Sequence, residues 1–140
     1  MEEVLDAVNP THVAYENYAM SRGKSGSRVF DIGELGGVYK TLLWERGVDI
    51  VLVSITSMKL LIAGYGKAEK QHITAAILRD FGQRIQQNDE ADAAGLLLVG
   101  ECRCGITTLP QVMANSSYRQ KIREIEVLPG RMQSVAKVTR

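Results

Sequence analysis

The chain holds few of the groups that usually announce a function. It has two histidines, two cysteines, three prolines and one tryptophan in 140 residues, and only 6% is aromatic. Burial therefore rests on aliphatic side chains, and the 45% apolar fraction suffices for a core. No apolar run approaches the ~20 residues that cross a bilayer. The acidic start Met1-Glu2-Glu3 is unlike a secretory signal. A cytoplasmic chain without membrane contact is expected. The net charge of +1 excludes a uniformly basic surface, so any nucleic-acid contact must come from local clusters. Cys102-Arg103-Cys104 spaces its thiols too closely for an unstrained bridge, which favours reduced cysteines. A zinc site would need more soft ligands than the distant His12 and His72 supply.

Apolar periodicity divides the chain into alternating elements. Glu2 to Val8 has helical spacing and stops before Pro10. Thr11 to Tyr18 reads as a short strand. Ser21 to Arg28 is a loop with three cations, Arg22, Lys24 and Arg28, and no acid. Asp31 to Arg46 keeps the 3.6-residue period, with Gly47 as its cap. Gly36 and Gly37 inside it each cost about 1 kcal/mol against alanine, and suggest close approach of another backbone or of DNA. Val48 to Thr56 is rich in β-branched residues and fits an interior parallel strand. Lys59 to Gly66 reads as a connection, Lys67 to Asp80 as a helix, and Asp89 to Val99 as the last core helix. Ala91, Ala93, Ala94 and Gly95 permit that helix to pack closely on the sheet. After Glu101 the pattern weakens to a short charged helix over Ser117–Glu126. A basic tail closes the chain, with Arg131, Lys137 and Arg140 and no acid. This divides the chain into a domain over residues 1–100 and an extension with a basic tail over 101–140.

Three carboxylates stand out. Glu16 follows an apolar run and serves equally as an ordinary exposed strand end. Asp89 serves equally as an acid complementing a helix dipole. Asp92 is harder to assign to the surface, because Ala91 and Ala93 flank it in an apolar helix and charge is rarely buried without a partner. Asp89 and Asp92 are three apart and share a helix face. Glu90 points elsewhere. Three anionic groups converging on one point repel unless cations neutralise them, and hard oxygen donors suit Mg²⁺ or Mn²⁺ in two-metal phosphodiester cleavage.

Lys59, Lys67 and Lys70 lie between the two halves of this set. Each is either a solvated cation or a phosphate contact beside the metals. Gly64-Tyr65-Gly66 before Lys67 has the look of a phosphate cradle at a helix start, without P-loop spacing. His72 is more at home on the surface than in a site.

Taken in order, Tyr15-Glu16-Asn17, the basic loop, Ile32-Gly33-Glu34-Leu35-Gly36-Gly37-Val38, the stretch from Lys59 through Gly64-Tyr65-Gly66-Lys67-Ala68-Glu69-Lys70, and Asp89-Glu90-Ala91-Asp92-Ala93 resemble the RuvC-type Holliday junction resolvases of the RNase H-like superfamily. The resemblance covers roughly residues 4–99. It implies an α/β fold with a mixed sheet flanked by helices. It implies Glu16, Asp89 and Asp92 as catalytic metal-binding carboxylates with Mg²⁺ or Mn²⁺. Lys59 and Lys70 become catalytic cations beside the scissile phosphate, and Arg22, Lys24, Arg28, Lys59, Lys67 and Lys70 become DNA contacts. The implied substrate is branched DNA such as a four-way junction, cut by a homodimer in recombination and repair.

The sequence departs from that family at its start. The family's fold opens with three antiparallel strands, the first carrying a further catalytic aspartate. About eleven residues precede the strand ending at Glu16, too few for three strands. Asp6 sits in the helical stretch, and Asp31-Ile32-Gly33 opens a helix. The expectation is therefore a resolvase without its N-terminal strands. Its alternatives are a catalytically impaired DNA-binding or assembly protein, and a fragment of a longer resolvase. Two parallel strands with an open edge would also be marginal alone, which points to oligomerisation or poor solubility.

Overall fold

A computed structural model describes residues 2–17 and 27–131. The loop cations Arg22 and Lys24 and the tail from residue 132 onward lie outside the described residues. The elements run α1 (Glu2–Val8), β1 (His12–Glu16), α2 (Ser27–Glu45), β2 (Asp49–Val53), α3 (Ile55–Ala63), α4 (Lys70–Phe81), α5 (Asn88–Arg103), α6 (Pro110–Ala114), α7 (Ser116–Glu124) and β3 (Glu126–Leu128).

The mixed sheet has the order β1-β2-β3. β1 and β2 pair in parallel from His12↔Asp49 to Glu16↔Val53, joined by α2 as a crossover. β3 adds antiparallel on the other side of β2, Ile50 opposite Leu128 and Leu52 opposite Glu126. β2 is central and buried on both faces, which is why its run is apolar without alternation. Val51 and Val53 face one core with α3 to α7. Ile50 and Leu52 face a smaller one with Leu5 and Leu43, from α1 and α2. The sheet thus lies between two helical layers.

Several boundaries differ from those the sequence suggests. Lys59 to Gly66 is not a connection. Ile55 to Ala63 is a helix, because the Ser54 hydroxyl caps it by accepting from the Ser57 amide. Met58, Leu61 and Ile62 form its buried stripe. Gly64 then closes it in the left-handed region at φ 90°, donating its N–H to the Leu60 carbonyl. β2 therefore ends at Val53, three residues before Thr56. α4 begins at Lys70 instead of Lys67, and α5 extends past Val99 to Arg103. Arg28 belongs to the first turn of α2 instead of the loop, since neither glycine nor proline interrupts residues 27–32.

The glycines of α2 also behave otherwise than expected. What approaches Gly36 is the Tyr15 hydroxyl of β1, which would lie 2.8 Å from an added Cβ, and not a backbone. A Cβ added at Gly37 would meet nothing within 4 Å among the described residues.

Residues 102–131 are built into the same fold. Leu109, Val112, Ile122 and Ile125 are buried in the larger core. Arg103 donates from Nε to the Ile125 carbonyl, and Tyr118 donates its hydroxyl to the Gly64 carbonyl. Past β3, Gly130 lies directly on the Gly47 backbone, where a Cβ would collide with the Gly47 carbonyl carbon. Its N–H donates to Asp49 Oδ1, and Arg131 stacks over Trp44.

Candidate metal centre

The candidate carboxylates sit on two elements, Glu16 at the end of β1 and Asp89 and Asp92 at the start of α5. β1 alternates, so Val13 and Tyr15 face α1 and α2 while Ala14 and Glu16 face the opposite layer. α5 packs there. An added Cβ on Gly100 would meet the Ala14 Cβ at 2.9 Å, so only hydrogen fits between helix and strand. Just past the end of α5, Cys104 lines a shallow cavity with Thr11 and His12, at the start of β1. The two elements therefore run antiparallel, and the N-terminus of α5, with Asp89 and Asp92, points toward the end of β1 that carries Glu16. Gly95 admits the Met58 side chain of α3 and seats α5 against that helix.

Asp89 and Asp92 do share a face, and Lys70 joins them. Its Nζ lies 3.2 Å from Asp89 Oδ1 and 3.4 Å from Asp92 Oδ2. Lys70 occupies the first turn of α4, which Ile73, Ala76 and Ile77 fix in the core. Hydrogen bonding to Asp89, reinforced by Asp92, holds the Lys70 pKa above its ordinary value. The two carboxylates differ in setting. The Asp89 side chain is 99% exposed and that of Asp92 30%. Asp92 Oδ1 is buried and has no hydrogen-bond partner among the described residues. A buried, unpartnered carboxylate oxygen costs roughly 1–3 kcal/mol or more, which a cation would relieve.

The donor chemistry fits a hard divalent cation: paired carboxylates at i and i+3, one with an orphaned oxygen. Glu16, half-buried at the end of β1, is not drawn into the same cluster. Among the described residues no three His, Cys, Asp or Glu side chains lie close enough to hold a metal ion together.

The remaining basic residues are dispersed. Lys59 sits half-buried midway along α3, and Lys67 is exposed in the turn before α4. Gly64 to Lys67 is not a phosphate cradle. Gly64 is the cap of α3, and the N-cap of α4 is Glu69, whose carboxylate accepts from the His72 amide and would repel a phosphate at that end. His72 is exposed and returns the capping contact, its Nδ1 accepting from the Glu69 amide. Asp6 pairs with Arg46, away from the site. Cys102 and Cys104 are free, half-buried thiols, and burial raises both pKa values.

Sequence reasoning missed a second polar cavity at the same end of the sheet, lined by Asn17, Ser54, Ser57, Lys121 and Glu124. Asn17 directly follows Glu16, but Lys121 comes from α7, whose packing leaves no local signature.

Comparison with known proteins agrees with this architecture. The family described as crossover junction endodeoxyribonuclease RuvC matches residues 1–99. A protein of that name from Mycobacterium leprae is 29% identical over 104 residues, covering 74% of this chain and 54% of the relative. One from Prochlorococcus marinus is 29% identical over 100 residues, covering 70% of this chain and 62% of the relative. The chain thus spans a little over half the length of such relatives. The structure of Thermus thermophilus RuvC in complex with Holliday junction substrate has the same fold, with a TM-score of 0.59 at 23% identity, covering 76% of this chain and 66% of that one. The chain belongs to the RuvC family.

Proposed function

We propose that the chain is a metal-dependent, structure-selective endonuclease that cuts branched DNA, four-way junctions above all, in recombination and repair. The observation that carries the reading is the Asp89–Lys70–Asp92 cluster at the starts of α4 and α5, in a chain of this family. Asp89 and Asp92 would hold Mg²⁺ or Mn²⁺, with Glu16 a further carboxylate at the end of β1, outside their cluster in this structure. Such a cation, when bound, activates water and stabilises charge on the scissile phosphate. The chain's own contribution is positional. α5 presents both aspartates from one face, and Asp92 offers an oxygen that nothing else satisfies. Lys59 and Lys70 are the cations for the scissile phosphate. Arg22, Lys24, Arg28 and Lys67 contact the flanking backbone, a sequence-independent and salt-dependent attraction. A homodimer suits a junction, since two sites related by a two-fold nick two strands symmetrically. The cytoplasm is where such a substrate is met.

A second reading has one observation in its favour. The described residues hold no three-ligand metal cluster, which suits a chain that binds junctions, or assembles with a partner, without cutting. Incubating a labelled four-way junction with Mg²⁺ separates the two readings. The nuclease reading expects paired nicks that disappear in Asp92→Asn. Equal nicking by wild type and mutant removes Asp92 from the site.

A further inference from the structure

Lys70 sits between the two carboxylates proposed above to hold a metal ion. Its ammonium bridges Asp89 Oδ1 and Asp92 Oδ2, spanning the two carboxylates that a divalent cation would neutralise. Its Cα is fixed at the start of α4 by a helix with three buried anchors, yet its side chain is 40% exposed and ends a flexible four-carbon stem. Lysine satisfies only part of the pair, because it reaches one oxygen of Asp92 and leaves Oδ1 without a partner among the described residues. An ammonium and a divalent cation in one narrow gap repel each other, so both cannot hold the pair fully.

We infer that Lys70 is the resident counter-ion of the Asp89–Asp92 pair, that it yields the pair when a divalent cation loads, and that its freed ammonium then turns to a bound phosphate. This rests on the metal-site reading above and adds a consequence that reading lacks. Lys70 competes with the metal while serving the substrate. It also holds the two carboxylates together before loading, so neither repels the other in the metal-free protein.

The test needs no DNA and no turnover. Mn²⁺ is titrated into wild type, Lys70→Met, Lys70→Gln, Lys70→Arg and Asp92→Asn, with free Mn²⁺ read by its paramagnetic resonance and folding checked by circular dichroism. Removing the competing charge in Lys70→Met or Lys70→Gln tightens Mn²⁺ binding about fivefold, the scale of an exposed ion pair. Lys70→Arg, which keeps the charge, stays near wild type, and added NaCl narrows the difference. A merely structural lysine predicts the opposite sign, weaker binding in Met and Gln. Equal or weaker binding in folded Lys70→Met and Lys70→Gln, with Asp92→Asn still impaired, overturns the competition and leaves the metal site standing. No Mn²⁺ binding by folded wild type and both neutral variants at millimolar metal overturns both.

Discussion

At the scale of single residues, the site turns on the contrast between Asp89 and Asp92. They lie one helical turn apart and touch the same ammonium, yet one is in solvent and the other keeps a buried oxygen unpartnered. Asp92→Asn should therefore cost activity far more than stability. Junction nicking should fall by at least the 10- to 100-fold typical of disturbing a metal's outer shell. Unfolding free energy in urea should not fall by more than about 1 kcal/mol, because the lost lysine contact is offset by removing charge from the buried Asp92 Oδ1. The cysteines give a second residue-scale prediction. Burial raises the pKa of Cys102, and of Cys104 despite the opposing charge of Arg103. The folded protein therefore holds less thiolate near pH 8 than a free thiol does. Iodoacetamide should react more slowly with the native chain than with the same chain in guanidinium. Since the unfolded thiols ionise first, this contribution to stability falls as pH rises through the ordinary thiol range. Equal alkylation rates in both states would contradict the burial.

At the scale of elements, the packing of α5 on β1 sets the geometry of everything above. Gly100 has no room for a side chain against Ala14. Gly100→Ala should destabilise by about 1–3 kcal/mol as helix and strand part, read as a lower urea midpoint. It should also weaken nicking, by moving Asp92 relative to Glu16. Much at this scale was legible in the sequence. The order of α1, β1, α2, β2, α4 and α5 follows from apolar period and glycine punctuation, and so does the shared face of Asp89 and Asp92. α3 was not legible, because Ile55 and Thr56 prolong the β-branched run of β2 and hide the Ser54 cap. β3 is three residues long and exists only through pairing with β2, some 75 positions earlier in the chain, which no local pattern records. The ordered motifs pointed to the carboxylates and to Lys70. They gave no sign of Lys70 as the bridge between the aspartates, since that contact joins α4 to α5 across 19 residues.

At the scale of the whole molecule, the described residues 101–131 contribute to the core. Ile122 and Ile125 are each only 7% exposed. Ile122→Ala should cost about 2–5 kcal/mol in chemical denaturation, and a loss below 0.5 kcal/mol would show that α7 docks weakly. β1 lies at the outer edge of the described sheet, a row of backbone groups open to pairing. Light scattering should find self-association, and a monodisperse monomer at working concentrations would count against it. Metal-dependent cleavage of branched DNA by this chain is the proposed activity. It is tested most directly by a time course on a four-way junction and a linear duplex of the same sequence, each in Mg²⁺ and in EDTA. Paired, symmetric nicks in the junction, only with Mg²⁺ and not in the duplex, are the predicted result. Junction binding that persists in EDTA, with no cleavage under Mg²⁺ or Mn²⁺, would contradict it.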